Sequence, residues 1–162
     1  MKNYLKLARV HHYIKNIFIF LPLFFSMNLF NASLFASCIL GFVSFSLLTS
    51  VIYIINDLVD APKDRLHPKK KNRPIASGAI SPAKAKVFAS VLFIVSVIFC
   101  LFSCSGNYLC AAFPALYFVF NLCYCFGGKN IPIVDIAILA SGFLLRLLYG
   151  SVITNVEVSG WL

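Results

Sequence analysis

The sequence has 162 residues, of which 60% are hydrophobic and only 12% are charged, and its mean hydropathy is +0.89. A soluble domain carries about twice that charged fraction, so the composition excludes one and indicates a protein whose solvent is the lipid bilayer. We predict an all-α fold, a polytopic bundle of transmembrane helices that forms one membrane domain over residues 1–162. The net charge of +9 follows largely from a one-sided distribution of basic residues, so no nucleic-acid partner is predicted.

Five apolar runs are each close to the roughly 20 residues that a helix needs to cross the hydrocarbon core. The first run is the weakest, because Pro22 interrupts it and its continuous apolar part covers only residues 17–27. A signal-peptide core or a partly re-entrant helix is the alternative for that run. The predicted spans are residues 10–31, 33–55, 83–104, 108–126 and 132–154.

Basic residues lie before the first run, between the second and third, and between the fourth and fifth, whereas the opposite turns have none. By the positive-inside rule, the N-terminus and the segment 56–82 are cytoplasmic. We expect an integral protein of the bacterial plasma membrane. The six cysteines lie in or at the ends of apolar runs, so we expect them to pack as small apolar residues, without a disulfide or a metal site.

Three of the five acidic residues lie within eight positions of one another, at the end of the second predicted span. Asp57, Asp60 and Asp64 are spaced three and four residues apart, which places them on one face of a helix. Three converging carboxylates repel unless a cation holds them, and Mg²⁺ favours oxygen ligands and completes its shell with water and substrate phosphate. The spacing therefore predicts a Mg²⁺ site, to which Asn56 adds an amide.

Basic residues follow this acidic cluster in the same segment, and both signs together predict a diphosphate substrate carried by Mg²⁺. Cationic side chains can neutralise the phosphate oxygens that the metal leaves free. The alternative is that a cytoplasmic segment is basic in any case and that its acids only offset the charge. The predicted phosphate-binding residues of this segment are Arg65, His67, Lys69, Lys70 and Arg73.

Pro62 lies inside the acidic segment, where it removes a backbone donor and disfavours helical geometry at Ala61. We therefore expect the second helix to kink or end near Asp60, with Asp64 reaching the metal from a following turn. Ser81 and Pro82 are the expected N-cap and first residue of the next helix.

The fifth predicted span carries two charged residues, Asp135 and Arg146, eleven positions apart and hence on one helix face. An arginine at that depth normally faces a protein interior or a wet cavity. We expect both side chains to line a substrate pocket, with Lys129 completing the phosphate contacts. A structural contact with helices absent from this chain is the alternative.

The stretch NDLVDAPKD resembles the N-D-x-x-D-x-x-x-D signature of the UbiA superfamily of intramembrane prenyltransferases. The flanking stretches DRLHPKKKNRPIASGAIS, RVHHYIKNIFIFLPLFF and PIVDIAILASGFLLRLLYGS resemble its decaprenyl-phosphate phosphoribosyltransferase branch. This resemblance implies a Mg²⁺ cofactor and catalytic roles for Asp57, Asp60 and Asp64. It also implies transfer of phosphoribose from phosphoribosyl diphosphate to a polyprenyl phosphate.

The resemblance also implies about nine spanning helices and a second acidic motif, whereas only five spans are predicted here. We therefore expect the chain to be the N-terminal part of a longer transferase, inactive alone, with the C-terminal half as a partner. Transfer of a prenyl group from prenyl diphosphate to an aromatic or other polar acceptor is the alternative activity. A piece of a transporter, or a non-catalytic membrane fragment, is the alternative from another class.

Overall fold

A computed structural model of the chain describes residues 1–128 and 131–156, and in these ranges every regular element is a helix. The all-α prediction is therefore confirmed. Three of the elements are 3₁₀-helical: a long stretch in the first apolar run and two short turns. In chain order the elements are α1 (Lys2–Ala8), the first 3₁₀ stretch (Val10–Phe20), α2 (Leu21–Phe25), α3 (Ala32–Leu66), a 3₁₀ turn (Lys70–Asn72), α4 (Pro82–Ser103), a 3₁₀ turn (Tyr108–Ala111), α5 (Ala112–Cys125) and α6 (Pro132–Thr154).

Within the described ranges, four helices are long and apolar enough to cross a membrane: α3, α4, α5 with its preceding turn, and α6. These agree with four of the five predicted spans. The remaining apolar run differs from the prediction, because its helix covers Val10–Phe25 and ends before residue 31. Eleven of its residues are 3₁₀-helical and five are α-helical. Since a 3₁₀-helix rises by about 2.0 Å per residue, this segment still extends over about 30 Å, the thickness of the hydrocarbon core.

The longest helix, α3, runs through Pro62 to Leu66, so of the predicted kink or end near Asp60, the end is wrong. The proline ring lies on the exposed side of the helix, whereas Ala61 and Asp64 are buried on the other side. Ala61 belongs to a buried cluster that includes Ile75 and Ile80 from the following loop. These contacts hold the last turns of the helix against the preference of proline. The acidic segment is therefore helical, and the loop begins at His67.

Small residues allow the helices to approach closely, as is typical of membrane bundles. Ser44 on α3 and Ser96 on α4 each donate a hydrogen bond to the other's backbone carbonyl, at 2.9 and 2.8 Å. Gly150 on α6 lies against the first apolar segment, where a Cβ atom would be 2.1 Å from the carbonyl oxygen of Ile19. The first segment is thus packed directly onto α6, and its residues Asn16 and Ile19 are buried in the bundle.

The loop from residue 67 to 81 is folded back on the bundle. Its residues Ile75 and Ile80 are 1% and 3% exposed, so the segment has its own apolar anchor. Gly78 adopts a φ of +77°, a left-handed conformation that glycine takes without steric cost. Ser81 accepts a hydrogen bond from the backbone N–H of Lys84, which confirms the predicted N-cap of α4.

The prediction that the cysteines form no disulfide is wrong for one pair. Cys104 and Cys110 are bonded, because the turn after α4 brings their Cα atoms to 5.9 Å, within the usual disulfide range. This turn lies at the end of α4 that is remote from the acidic segment. Cys38, Cys100 and Cys125 are buried among apolar residues, as predicted.

Candidate functional site: a charged cavity between the helices

A cavity of about 470 Å³ lies between α3, α5, α6 and the N-terminal segment, and both signs of charge line it. Its acidic and amide groups come mainly from one face of α3, and its cations come from several elements. The charged lining residues are Arg9, Lys15, Asp60, Lys63, Asp64, Lys70, Arg73 and Arg146. The folded chain therefore gathers carboxylates and cations that are distant in sequence.

The acidic wall of the cavity consists of Asn56, Asp60 and Asp64, which follow one another at intervals of four residues. This spacing puts them on adjoining turns of α3, and the continuation of the helix through Pro62 carries Asp64 onto the same face. The side-chain oxygen Oδ1 of Asn56 is buried and has no hydrogen-bond partner among the described residues. The wall thus presents an amide oxygen and two carboxylates to the cavity.

Asp57 is oriented differently from its two acidic neighbours. It is 2% exposed and is not part of the cavity lining. Its Oδ1 accepts a hydrogen bond from Nη2 of Arg9 at 2.6 Å and lies 3.3 Å from Nη1 of Arg73. Since these two guanidinium groups compensate its charge, the predicted convergence of three carboxylates is not what the structure shows. Across residues 1–128 and 131–156, no three His, Cys, Asp or Glu side chains are placed to hold a metal ion together.

Arg73 links the acids to the loop that follows them. Its Nη1 donates to Oδ2 of Asp64 at 2.7 Å as well as approaching Asp57. The guanidinium is therefore shared by two carboxylates that are seven residues, about two turns, apart on α3. Arg73, a predicted phosphate-binding residue, thus lines the cavity beside the acidic residues of α3.

Arg9 is a site residue that the sequence alone did not indicate, because a basic residue before an apolar run is explained by topology. It lies at the break between α1 and the 3₁₀ stretch, with a φ of 50° in the left-handed region. Its guanidinium carbon is 4.6 Å from the ring centroid of Tyr53, in a cation–π contact, while Nη2 binds Asp57. The N-terminal segment thus adds a cation to the acidic wall.

Other predicted phosphate-binding residues are divided by the fold. Lys70 lines the cavity, whereas Arg65, His67 and Lys69 are exposed and do not. His67 has a local structural role instead, because its Nδ1 accepts hydrogen bonds from the backbone N–H groups of Lys69 and Lys70. Lys129 lies outside the described residues.

The inner end of the cavity is formed by Arg146, which is 5% exposed. Its Nε donates to Oδ1 of Asn16 at 2.7 Å, Nη1 donates to the carbonyl of Gly142 at 2.6 Å, and Nη2 donates to the hydroxyl of Tyr117 at 3.0 Å. These partners all belong to this chain. Asp135, expected on the same pocket wall, does not line the cavity, and its Oδ1 is buried without a hydrogen-bond partner among the described residues.

The donor set of the acidic wall fits a magnesium ion. Mg²⁺ takes one or two carboxylates and hard oxygen ligands, and leaves positions for water and phosphate. Asp60 and Asp64 supply carboxylates, and the unpartnered Oδ1 of Asn56 is a neutral oxygen that a cation can use. Lysine and arginine side chains in the same cavity can bind the phosphate oxygens of such a complex. The arrangement is suited to an anion that arrives with a divalent cation.

A helical bundle with spanning helices and a charged internal cavity defines a polytopic membrane protein with a polar site between its helices. The family model described as the UbiA prenyltransferase family matches residues 17–162. The chain therefore belongs to the UbiA prenyltransferase family, as its acidic motif predicted, and it is an integral membrane protein.

Several curated proteins are similar to this chain. It is 35% identical to a decaprenyl-phosphate phosphoribosyltransferase from Corynebacterium glutamicum over 159 residues, which are 97% of this chain and 48% of that protein. It is 37% identical to the enzyme of the same name from Mycolicibacterium smegmatis over 130 residues, which are 80% of this chain and 40% of that protein. The chain thus spans less than half the length of these two relatives.

A solved structure from work on digeranylgeranylglyceryl phosphate synthase in membranes superimposes with a TM-score of 0.75 and 25% sequence identity. The match covers 94% of this chain and 52% of that chain. The helical arrangement described above is therefore shared with about half of a solved membrane protein.

Proposed function

We propose that this chain forms the donor-binding part of an integral-membrane transferase that uses a Mg²⁺-bound diphosphate donor. The transfer is of phosphoribose from phosphoribosyl diphosphate to a polyprenyl phosphate. The single observation that carries the proposal is the cavity in which Asn56, Asp60 and Asp64 face a set of arginine and lysine side chains. The similarity to the two decaprenyl-phosphate phosphoribosyltransferases supports the choice of donor and acceptor.

In this proposal Asn56, Asp60 and Asp64 hold Mg²⁺, and the ion, when bound, offsets the negative charge of the diphosphate leaving group. Arg73 and Lys70, from the loop, bind the phosphate oxygens. The bond between C1 of the ribose and the diphosphate oxygen breaks, and a phosphate oxygen of the acceptor forms the new bond to C1. Pyrophosphate leaves, and the lipid carries the phosphoribosyl group.

Asp57 has a separate part in this arrangement. It is a positioning residue, since its carboxylate contacts the guanidinium groups of Arg9 and Arg73 and not the cavity. Fixed cations of this kind stabilise charge that develops on a leaving group without having to reorganise at the moment of reaction. Asp57 thus acts on the substrate through the two arginines.

The orientation in the membrane belongs to the same proposal. The cavity contains the C-terminal turns of α3 and part of the basic loop, which the distribution of basic residues assigns to the cytoplasm. A soluble sugar diphosphate reaches the cavity from that side of a bacterial plasma membrane, and the isoprenoid tail lies along the apolar helices. We also propose that further helices, supplied after residue 162 or by another chain, complete the enzyme.

A second candidate is transfer of a prenyl group from a prenyl diphosphate to a polar acceptor. The observation that favours it is the superposition on the structure from the work on digeranylgeranylglyceryl phosphate synthase. Both activities need the same Mg²⁺-diphosphate site, so the donor that is consumed distinguishes them.

The test is a transfer assay in membranes that contain the chain, expressed alone or within the longest reading frame that includes it. Phosphoribosyl diphosphate labelled in the ribose, Mg²⁺ and a polyprenyl phosphate are supplied, and label in the lipid extract is counted. Lys70→Gln changes a cavity lysine, and Lys71→Gln is its matched control, because Lys71 is exposed and does not line the cavity.

We expect label to appear in the lipid extract. Asp60→Asn should abolish it, and Lys70→Gln should lower it more than Lys71→Gln does. Label that appears only in the longer reading frame assigns the missing contacts to the remaining helices. Label that appears only with prenyl diphosphate and a polar acceptor replaces the proposal by the second candidate. No transfer from either donor in either form contradicts both.

A further inference from the structure

Arg146 is an intramembrane cation for which the acidic wall offers no counter-charge. Three ion pairs, Arg9–Asp57, Arg73–Asp57 and Arg73–Asp64, lie at the opposite end of the cavity. The hydrogen-bond acceptors that Arg146 contacts among the described residues are neutral: an amide, a backbone carbonyl and a hydroxyl. A guanidinium without a carboxylate partner within a spanning helix is costly, and such residues mark substrate pathways.

The guanidinium still has free donor capacity. It carries five N–H groups, of which three donate to Asn16, Gly142 and Tyr117. Two N–H groups remain, and the side chain lines the cavity. Its positive charge and these two donors are therefore available to an anion inside the cavity.

The position of the guanidinium is fixed from several sides. Its central carbon is 4.7 Å from the ring centroid of Tyr117 and 5.0 Å from that of Phe45. Asn16, which accepts from Nε, is fully buried and itself donates to Ser46 at 2.9 Å. Since the contacts come from α3, α5 and the first apolar segment, the cation is held in place before any ligand arrives, which lowers the entropic cost of binding.

The location of Arg146 separates it from the proposed Mg²⁺ site. Its guanidinium lies beside Phe45, which is fifteen residues, or about 22 Å of helix, from Asp60. The hydrogen bond to Gly142 turns the side chain back toward the acidic wall and shortens this separation. About four turns of α3 lie between Phe45 and Asp60, so Arg146 is at the other end of the cavity from the acidic wall and is placed to contact a separate anionic group.

We propose that Arg146, oriented by Asn16 and Tyr117, forms a second phosphate-binding subsite that takes a phosphate monoester. This inference rests on the proposed function, in which two phosphate monoesters occur: the 5-phosphate of phosphoribosyl diphosphate and the phosphate of the polyprenyl acceptor. A prenyl diphosphate donor with a non-phosphorylated acceptor has neither. Use of this subsite therefore also separates the two candidate functions.

The test measures equilibrium binding, in nanodiscs of neutral lipid, to the 162-residue chain and to the longest reading frame that includes it. The probes are phosphoribosyl diphosphate with Mg²⁺, ribose 1-diphosphate with Mg²⁺, and farnesyl phosphate. Arg146→Gln removes the charge, Arg146→Lys keeps it, and Lys71→Gln is the control for loss of an exposed cation. Thermal unfolding without ligand is recorded for each variant, so that a structural defect is seen separately.

The expected result is that Arg146→Gln weakens binding of one phosphate monoester by about 10- to 100-fold, the range for a charged hydrogen-bond partner, while Arg146→Lys retains most of it. Loss for phosphoribosyl diphosphate but not for ribose 1-diphosphate assigns the subsite to the 5-phosphate. Loss for farnesyl phosphate alone assigns it to the acceptor.

Two outcomes overturn the inference. In the first, the Arg146→Lys and Arg146→Gln variants bind all three probes as tightly as the unchanged chain but are thermally less stable. That result shows that Arg146 only joins helices. If neither the chain nor the longer reading frame binds any of the probes, with the native unfolding transition intact, the proposed function is overturned together with the subsite. The first outcome leaves the proposed function standing.

Discussion

Replacing Asp57 by asparagine distinguishes two possible roles for this residue: a direct ligand of the metal ion, or a counter-ion that positions Arg9 and Arg73. In the structure its Oδ1 lies 2.6 Å from Arg9 and 3.3 Å from Arg73, and its side chain is 3% exposed. Asp57→Asn removes the charge but keeps the shape, so the arginines lose a buried counter-ion. The control is Asp60→Asn, the same chemical change on the cavity wall.

The size of the effect follows from the partners. Removing one member of a buried ion pair costs about 3–5 kcal/mol. Two features reduce this cost: Arg9 and Arg73 are 20% and 24% exposed, so water partly screens their charges, and Arg73 keeps its contact with Asp64. We therefore expect Asp57→Asn to lower the free energy of unfolding by about 2 kcal/mol. For a chain of this length, that loss lowers the midpoint of thermal unfolding by about 4–8 °C.

The assay combines thermal unfolding in detergent with Mg²⁺ titration of phosphoribosyl diphosphate binding. Asp57→Asn is expected to lower the unfolding midpoint and to weaken donor binding at saturating Mg²⁺, while the half-saturating Mg²⁺ concentration stays the same. Asp60→Asn is expected to raise that concentration about tenfold or more, since even outer-shell changes cost metal sites about 10–100-fold.

A different pattern refutes the reasoning. If Asp57→Asn leaves thermal stability unchanged and raises the Mg²⁺ requirement as Asp60→Asn does, then Asp57 is a metal ligand and the arginine contacts are not its role. Such a result would also favour the three-carboxylate site that the residue spacing predicts.

Three further predictions concern the scaffold. Gly150→Ala should destabilise the protein by about 1–3 kcal/mol or prevent folding, because the new Cβ meets a backbone oxygen. Gly41→Ala is the control and should cost less, because its Cβ meets only side-chain atoms. Equal unfolding midpoints for the two variants would contradict this prediction. Pro62→Ala should raise the unfolding midpoint, because it restores a helix donor at an exposed position inside α3; a lower midpoint would show that the proline shapes the site. In the unfolded chain, Cys104 and Cys110 should react with a maleimide only after reduction, because both are buried in the folded protein and joined to each other; labelling of this pair without a reductant would contradict the disulfide.

Much of the fold was predictable because the bilayer imposes simple rules. Length and apolarity identify spanning helices without knowledge of their neighbours, and α3, α4 and α6 lie where the sequence predicted them. The first apolar run was harder, since hydropathy does not distinguish a 3₁₀ stretch from an α-helix, and its close approach to Gly150 of α6 joins segments that are distant in sequence. Tertiary contacts also extended α3 through Pro62, against the local preference of proline.

The candidate site was only partly predictable. The residue pattern alone indicated an acidic motif with a basic loop, because spacing of three and four residues places side chains on one helix face. Only the tertiary structure decided which acids face the cavity. Asp60 and Asp64 line it, whereas the carboxylate of Asp57 is paired with Arg9 and Arg73. A helix face is about 100° wide, so small rotations determine whether a carboxylate meets a cavity or an arginine.

Arg9 and Asn16 illustrate what the sequence by itself could not determine. They lie 48 and 130 positions from Asp57 and Arg146, the residues that they contact. Local pattern predicted the long spanning helices, because their length and apolarity depend on neighbouring residues and on the solvent. Pairings between distant segments depend on how the helices pack, and in this chain those pairings position the charged groups of the cavity.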